Sequence, residues 1–137
     1  MEARLDVAVD NGCDGVEPDN MDGFTNNTGF NLTSGDQLTF NGTIANEAHE
    51  RGLSGGLKND LDQISDLIAF FDFQVNEQCH EYDECAALDA FITAGKPVLN
   101  AEYDPQLVSD AAARAQLCEA ARNRNFRTLI LPLDLDD

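Results

Sequence analysis

The sequence has 137 residues, of which 42% are hydrophobic, so the chain has the length and the apolar content of one domain with its own core. Its 26 acidic and 8 basic side chains give a formal net charge of −18, which argues against nucleic acid as a partner because phosphates would be repelled. A cationic ligand suits this charge better, and acidity that serves only solubility or adaptation to high salt is the alternative.

Helical and strand patterns alternate along the whole chain. In chain order, the patterns predict a helix over residues 2–11, a strand over 14–17, a polar loop over 18–31, a helix from 33 to 52, a strand over 53–57, a helix over 61–70, a strand over 72–75, a helix over 85–94, a strand over 97–101, a helix over 105–123 and a last apolar run over 128–133. This alternation predicts parallel strands joined by right-handed helical crossovers. The fold class is therefore α/β, either an open doubly wound sheet or part of a (β/α)8 barrel.

Polar side chains follow four of the predicted strands at the point where each strand ends. The four segments are Glu17-Pro18-Asp19-Asn20, Lys58-Asn59-Asp60, Asn76-Glu77-Gln78 and Asn100-Ala101-Glu102-Tyr103. The carboxyl ends of parallel strands converge on one face, which is where barrel enzymes carry their chemistry. Helix capping explains one such carboxylate, as at Asp60, but four consecutive strand ends favour a site. The Gly-x-Gly-x-x-Gly fingerprint of a nucleotide-binding fold does not occur in the sequence.

Several features indicate an extracellular protein. The sequence has no apolar stretch near the roughly 20 residues that span a bilayer, and its first ten residues do not resemble a signal peptide. N-glycosylation acceptor patterns begin at Asn26, Asn31 and Asn41. Four cysteines allow three pairings if all are oxidised, and we favour Cys79 with Cys85, which are close in sequence and lie in a predicted loop. We expect a secreted protein that does not enter a membrane.

The sequence offers two candidate metal sites, and the residue spacing disfavours both. Zinc would use Cys79, His80 and Cys85, but the adjacent Cys-His pair lacks the spacing that lets two ligands converge on a tetrahedral ion. Residues 10–21 superficially resemble an EF-hand loop, yet Gly12 and Met21 stand where ligands are required. We therefore predict neither a metal nor a cofactor.

Long blocks of the sequence, in a fixed order, resemble a known family. The blocks are residues 12–20 (GCDGVEPDN), 29–33 (GFNLT), 45–53 (ANEAHERGL), 56–60 (GLKND) and 76–85 (NEQCHEYDEC), with shorter matches at 94–96 and 100–103. Together they are similar to glycoside hydrolase family 114, the endo-α-1,4-polygalactosaminidase family. The resemblance implies a (β/α)8 barrel that cleaves α-1,4-linked galactosamine polymers internally, with retention of configuration. It also implies that residues 1–137 form a single partial barrel domain, because the sequence supplies five strands where closure takes eight.

The resemblance also implies roles for individual residues. Asp19 looks like the nucleophile and Glu77 like the acid/base, and a retaining pair should stand about 5 Å apart. The remaining candidates are expected to contact or orient the substrate, with Lys58 holding Asp19 ionised and the acidic side chains attracting sugar amines. These candidates are Glu17, Asn20, Lys58, Asn59, Asp60, Asn76, Tyr82, Glu102 and Tyr103.

The expected partner is a cationic galactosamine-containing polysaccharide, bound by a protein that is a monomer if the barrel is complete. A half-open barrel would expose strand edges and an apolar interior. The alternative function is a non-catalytic module that binds such a polysaccharide through the same acidic face. An opposed Asp and Glu favours a hydrolase, because a binding module does not need that pair.

Overall fold

The computed structural model describes residues 1–134 as five strands that alternate with helices. The first half comprises α1 (Glu2–Asp10), β1 (Gly15–Val16), a 3-10 turn (Gly23–Thr25), α2 (Ser34–Glu50), β2 (Ser54–Lys58), a 3-10 turn (Leu61–Gln63) and α3 (Ile64–Leu67). The second half comprises β3 (Phe73–Glu77), a 3-10 turn (Cys85–Leu88), α4 (Asp89–Thr93), β4 (Val98–Glu102), α5 (Pro105–Ser109), α6 (Ala111–Asn123) and β5 (Arg127–Ile130).

The five strands form one sheet in the order β1-β2-β3-β4-β5, and every neighbouring pair is parallel. A doubly wound sheet reverses its strand order at a switch point, whereas a barrel adds each strand beside the previous one. The sequential order therefore selects the barrel from the two predicted architectures. Parallel pairing aligns the strand ends, so that Glu77 lies opposite Ala101 and Asn76 opposite Asn100.

The start of α2 shows how the sequence fixes one boundary. The Thr33 hydroxyl accepts a hydrogen bond from the backbone N–H of Asp36 at 3.2 Å, and the Asp36 carboxylate accepts one from the backbone N–H of Thr33 at 2.9 Å. This reciprocal arrangement satisfies two backbone donors at the helix start. Hydrogen bonds from Thr33 lower the pKa of Asp36. The helix is followed by Gly52 at φ 74°, in the left-handed region that glycine enters at little cost.

Three predicted helices differ from the observed ones. The helices predicted over 61–70 and 85–94 each begin as a 3-10 turn and continue as a short α-helix. The helix predicted over 105–123 is divided at Asp110, whose backbone is extended. The Asp110 carboxylate accepts hydrogen bonds from the backbone N–H groups of Ala112 and Ala113, at 2.8 and 3.1 Å. A new helix start is more stable there than a continuous helix, because Asp is a strong N-cap.

The main core lies between the sheet and its helices. Its largest fully buried side chains are Phe71, Phe91, Met21, Leu57 and Leu67. Burying side chains of this size contributes roughly 1.5–3 kcal/mol each. Met21 is the member that matters most for the site, because it anchors the loop that follows β1. Its backbone carbonyl also accepts a hydrogen bond from the Asn41 side chain at 2.8 Å.

The other face of the sheet is open near β4 and β5. Leu129 is 61% exposed and Leu99 is 40% exposed, and both line an apolar hollow of about 620 Å³ with Phe126 and Val75. The exposed apolar interior predicted for a partial barrel is therefore present. No helix within residues 1–134 is long and apolar enough to cross a bilayer.

Candidate active site

Lys58, the last residue of β2, lies at the centre of three carboxylates. Its Nζ is 3.0 Å from Glu17 Oε1, 3.3 Å from Asp19 Oδ1 and 3.7 Å from Glu77 Oε2. The Lys58 side chain is only 12% exposed, so these contacts are weakly screened. Burial alone would lower the pKa of Lys58, but the hydrogen bond that Lys58 donates to Glu17 and the charges of Glu17 and Glu77 raise it, and the ammonium group stays protonated. We call these four residues the Lys58 cluster.

Asp19 and Glu77 are close enough to act on one glycosidic bond. Because Asp19 Oδ1 and Glu77 Oε2 lie 3.3 and 3.7 Å from the same Nζ, the two oxygens are at most 7.0 Å apart. Retaining glycosidases hold their carboxyl groups about 5–5.5 Å apart, and inverting enzymes about 6.5–9.5 Å apart. The limit therefore includes the retaining distance and excludes most of the inverting range. Asp19 is 71% exposed and accessible to a ligand.

Tyr103 contacts the second carboxylate of this pair. Its hydroxyl donates a hydrogen bond of 2.7 Å to Glu77 Oε1. Burial, together with this hydrogen bond, raises the pKa of Tyr103 to about 12, so the hydroxyl remains a donor at any ordinary pH. Glu77 therefore has one oxygen held by Tyr103 and the other near Lys58, an arrangement that restricts the rotation of its carboxyl group.

We expect Tyr103→Phe to lower kcat about 10-fold while KM and the unfolding free energy change little. The substitution removes one hydrogen bond and leaves the ring, so the Glu77 carboxyl group gains freedom of rotation without a packing defect. Initial rates over a range of substrate concentrations separate kcat from KM. A variant with the kcat of the parent protein would exclude a positioning role for Tyr103.

A chain of hydrogen-bonded side chains supports Glu77 from behind. Asn59 Oδ1 accepts hydrogen bonds from the Glu77 backbone N–H at 2.9 Å and from Asn76 Nδ2 at 3.2 Å. Asn76 Oδ1 in turn accepts from Asn100 Nδ2 at 3.0 Å, and Asn100 Nδ2 also lies 3.1 Å from Glu102 Oε1. These contacts connect three neighbouring strands at their carboxyl ends. The chain therefore fixes the position of the Glu77 backbone.

Two members of this chain were predicted to contact substrate, and their burial contradicts that prediction. Asn76 is fully buried and Glu102 is 1% exposed, so a sugar cannot reach either side chain. Successive side chains of a strand point to opposite faces. Asn76 therefore points away from the face that carries Glu77, and Glu102 points away from the face that carries Tyr103. Both are structural supports of the site.

Asp60 is a buried carboxyl group at the same edge of the sheet. It is 3% exposed, and its Oδ2 accepts a hydrogen bond from Asn41 Nδ2 at 2.9 Å. Its Oδ1 has no hydrogen-bond partner within residues 1–134. Burial, and then the nearby charge of Asp22, raises the pKa of Asp60 to about 7. Near neutral pH this carboxyl group is therefore half protonated.

The structure contradicts one of the three predicted glycosylation positions, the one at Asn41. The pattern at Asn41 was expected on the surface, but the residue is fully buried and bonded to Gln37, Met21 and Asp60. A glycan on its Nδ2 would remove the hydrogen bonds that this nitrogen donates. Asn26 and Asn31 lie on the surface, where the prediction stands.

We expect Asp60→Asn to change the pH dependence of folding. The folded protein holds the Asp60 proton up to about pH 7, whereas the unfolded chain releases it near 3.8, so this contribution to stability is full below pH 3.8 and is lost as pH rises through 7. Relative to the parent protein, the neutral variant should gain on the order of 3 kcal/mol in unfolding free energy between pH 4 and pH 8.

Urea unfolding at several pH values measures this difference. The matched control is Asp66→Asn, which removes an exposed carboxylate from α3. This control should change the unfolding free energy little, because it leaves the Asp60 carboxyl group in place. A constant difference between Asp60→Asn and the parent protein from pH 4 to pH 8 would contradict the raised pKa of Asp60.

Asp60 lines an acidic cleft of about 310 Å³ beside the Lys58 cluster. The lining residues are Asp22, Thr25, Asn59, Asp60, Leu61, Asp62, Glu77, Gln78, Tyr82 and Glu84. Among residues 1–134, no basic side chain lines the cleft, and Glu77 is the one residue that it shares with the Lys58 cluster. We call this hollow the acidic cleft.

Sequence reasoning missed six of the ten lining residues. Five of them lie in loops and turns that follow the strand-end motifs, and the sixth, Gln78, ends one of those motifs but was given no role. The five are Asp22, Thr25, Leu61, Asp62 and Glu84. Tyr82 was predicted, and it lines the cleft with its side chain mostly exposed. Asn20 was also predicted, and its amide lies 3.4 Å from Asp19 Oδ2.

The loop after β3 carries the cysteine pair. Cys79 and Cys85 are joined in a disulfide, and both are buried in the main core. Of the three residues in the zinc alternative, only His80 keeps a free ligand atom, since both sulfurs are bonded to each other. Burial lowers the pKa of His80. The disulfide closes the loop that holds Gln78 and Tyr82 at the acidic cleft.

Left-handed backbone follows the ends of β1, β2 and β3. Asn20, Asn59, Asp60 and Gln78 have φ between 49° and 64°. Asn and Asp tolerate this region better than other non-glycine residues. The sharp change in direction brings Asn59 Oδ1 to the Glu77 backbone N–H.

The fold and the site define the class of the protein, and the match of its sequence defines the family. Five sequential parallel strands with acidic side chains at their carboxyl ends make the molecule a partial (β/α)8 barrel with a carboxylate site at its mouth. The model of glycoside hydrolase family GH114 matches residues 1–137. The chain belongs to glycoside hydrolase family 114.

Solved structures agree with this assignment. The crystal structure of Ega3 from Aspergillus fumigatus, in complex with galactosamine, is 42% identical with a TM-score of 0.92 and matches 99% of this chain. The glycoside hydrolase domain of PelA from Pseudomonas aeruginosa is 15% identical with a TM-score of 0.69 over 100% of this chain, which shows the fold alone. The matched regions are 57% of the Ega3 chain and 60% of the PelA chain. No match was found among curated proteins.

Proposed function

We propose that this chain forms the catalytic part of an endo-acting glycoside hydrolase that cleaves α-1,4-linked galactosamine polysaccharide with retention of configuration. The observation that carries the proposal is that Asp19 and Glu77 contact the same ammonium group, that of Lys58. Their nearest oxygens lie 3.3 and 3.7 Å from its nitrogen and are therefore at most 7.0 Å apart. Membership of the family and the 42% identity to a protein crystallised with galactosamine support the same activity.

The proposed reaction has two displacements. In the first, the Asp19 carboxylate forms a bond to the anomeric carbon while the bond from that carbon to the leaving oxygen breaks, and Glu77 transfers its proton to that oxygen. In the second, Glu77 takes a proton from water, whose oxygen displaces Asp19 from the anomeric carbon. Lys58 keeps the carboxylates in place, and Tyr103 orients Glu77. Both displacements invert the anomeric carbon, so the product retains the original configuration.

The negative charge of the site favours a cationic substrate. Glu17 contacts the same ammonium group as the pair, and Glu77 lines the acidic cleft with four further acidic side chains. Free galactosamine units carry an ammonium group near neutral pH. Opposite charges raise the local concentration of the polymer and its rate of association. We propose an extracellular polysaccharide as the partner and the monomer as the working state.

The test is the release of reducing ends from a de-N-acetylated α-1,4-galactosamine polymer. It compares this chain alone with the completed protein, in which the chain is joined to the segments of Ega3 that it does not cover. We expect release by the completed protein, with an α-configured product observed first by NMR. A well-folded completed protein that binds the polymer without cleaving it would replace this proposal with the non-catalytic binding module.

A further inference from the structure

The backbone turn that follows β3 is held by hydrogen bonds at the ends of β2, β3 and β4. This turn, residues 77–80, has four consecutive backbone N–H groups, and each donates to a different acceptor. In donor order, the acceptors are Asn59 Oδ1 at 2.9 Å, the Ala101 carbonyl at 2.7 Å, Asn76 Oδ1 at 3.1 Å and Glu102 Oε1 at 3.0 Å. Resting on the proposed function, we propose that Glu102 is a positioning residue for Glu77. Its carboxyl oxygen sets the place of the group that transfers the proton.

Glu102 occupies a position where burial makes a carboxyl group costly. It is 1% exposed, and a buried carboxyl group is stable only when hydrogen bonds replace its hydration. Its Oε1 accepts two hydrogen bonds, from the His80 backbone N–H at 3.0 Å and from Asn100 Nδ2 at 3.1 Å, while its Oε2 has no partner within residues 1–134. An apolar side chain of similar volume would fill such a position at lower cost. The gain from this carboxyl group therefore lies in the two donors that it holds.

The orientation of the amides between Glu102 and Glu77 follows from the acceptor at one end. An amide exchanges its oxygen and its nitrogen by a half-turn, whereas an ionised carboxyl group only accepts hydrogen bonds. Asn100 therefore turns Nδ2 towards Glu102, and the same Nδ2 donates to Asn76 Oδ1 at 3.0 Å. Asn76 Nδ2 then donates to Asn59 Oδ1 at 3.2 Å, and that oxygen accepts the Glu77 N–H. Loss of the carboxyl oxygen removes the acceptor that favours this orientation over the reversed one, in which Asn59 Nδ2 would face the Glu77 N–H.

The segment that carries Glu102 fixes Glu77 from two sides. Glu102 acts on the backbone of Glu77 through the amides, and Tyr103, the next residue, donates a hydrogen bond to the Glu77 carboxyl group at 2.7 Å. A general acid must stand within about 2.6–3.2 Å of the oxygen that it protonates, and a displacement of about 1 Å can lower a rate about 100-fold. Loss of Glu102 should therefore slow proton transfer to the leaving oxygen and leave the attack by Asp19 nearly unaffected.

One arm of the test separates proton transfer from folding. Glu102→Leu removes the acceptor and keeps a side chain of similar size in the core. In the completed protein we expect it to lower kcat on the de-N-acetylated polymer about 30-fold with little change in KM. The first-turnover release of phenol from an activated aryl galactosaminide, which needs little protonation, should fall less than about 3-fold. Equal losses on both substrates, or the parent rate on the polymer, would overturn the proposal.

Two further variants serve as controls. Glu102→Gln keeps an acceptor oxygen at the same reach and should retain most of the kcat, so an equal loss in Glu102→Leu and Glu102→Gln would also overturn the proposal. Glu119→Leu makes the same exchange at an exposed position of α6 and should match the parent protein on both substrates.

The second arm requires neither a substrate nor a folded variant. Amide hydrogen exchange, followed by NMR in this chain, should be at least about 100-fold slower at the backbone N–H groups of Glu77 and His80 than in an unstructured peptide. Fast exchange at either group would overturn the proposal. Where Glu102→Leu folds, exchange at Glu77 should be about 10-fold faster than in the parent protein, with exchange in α2 unchanged, and an unaltered rate at Glu77 would also overturn it. The expected exchange rates in a completed protein that cleaves nothing would support the hold of Glu102 on this turn while removing the hydrolase activity.

Discussion

Asp19→Asn and Glu77→Gln are each expected to reduce polymer hydrolysis by the completed protein about 10³-fold or more. Asn at residue 19 removes the attacking carboxylate, and Gln at residue 77 removes the transferable proton. Both substitutions keep the shape of the side chain, so the folded structure should persist. Initial rates of reducing-end release, with circular dichroism of each variant, measure the effect.

The two variants should differ in how they respond to chemical rescue. An activated aryl glycoside needs little protonation of its leaving group, so it should restore the first step of Glu77→Gln but not that of Asp19→Asn. Added azide can replace the missing nucleophile in Asp19→Asn and should give a product of inverted configuration. Asp66→Asn is the control for the loss of one negative charge. Either site variant with more than a tenth of the parent rate would refute the assigned pair.

Lys58→Met is expected to lower activity about 100-fold and the unfolding free energy by about 1–3 kcal/mol. The mostly buried ammonium group lies within 3.0, 3.3 and 3.7 Å of three carboxylates, which repel one another once it is removed. The estimate is below that for a fully buried pair because Asp19 and Glu17 are partly solvated. Initial rates and urea unfolding give the two quantities.

Lys58→Arg is the matched control, because it keeps the positive charge and changes the geometry. We expect it to recover most of the stability and only part of the activity, since a planar guanidinium cannot contact three carboxylates as a compact ammonium does. Full activity in Lys58→Met would show that the carboxylates hold their positions without a cation.

The strand ends could be predicted because they follow from a general property of parallel sheets. Alternating patterns placed Asp19, Lys58 and Glu77 at carboxyl ends, and parallel pairing had to bring those ends together. The predicted contact between Lys58 and Asp19 occurs at 3.3 Å in the structure. The roles given to Asp19 and Glu77 came from the family resemblance and remain predictions.

Other features depended on information that a linear pattern lacks. The alternation of β3 could have shown that Asn76 and Glu77 face opposite sides, and the prediction treated both as one polar cluster. The division of the last helix at Asp110 was missed because helix formers flank it on both sides. Residues of the acidic cleft such as Asp22 and Glu84 lie in loops, whose path is set by tertiary contacts such as the burial of Met21.

The left-handed residues after the strand ends have an evolutionary consequence. A non-glycine residue in this region costs roughly 1–2 kcal/mol, so these loops hold a reserve of stability that selection for heat resistance could recover. Gln78 is the position where glycine would relieve strain at least loss, because its side chain makes exposed hydrogen bonds. Asp60 accepts a buried hydrogen bond, and Asn59 accepts a partly buried one from the Glu77 backbone. Lineages under thermal selection should therefore drift towards glycine at residue 78 and keep amide and carboxylate at 59 and 60.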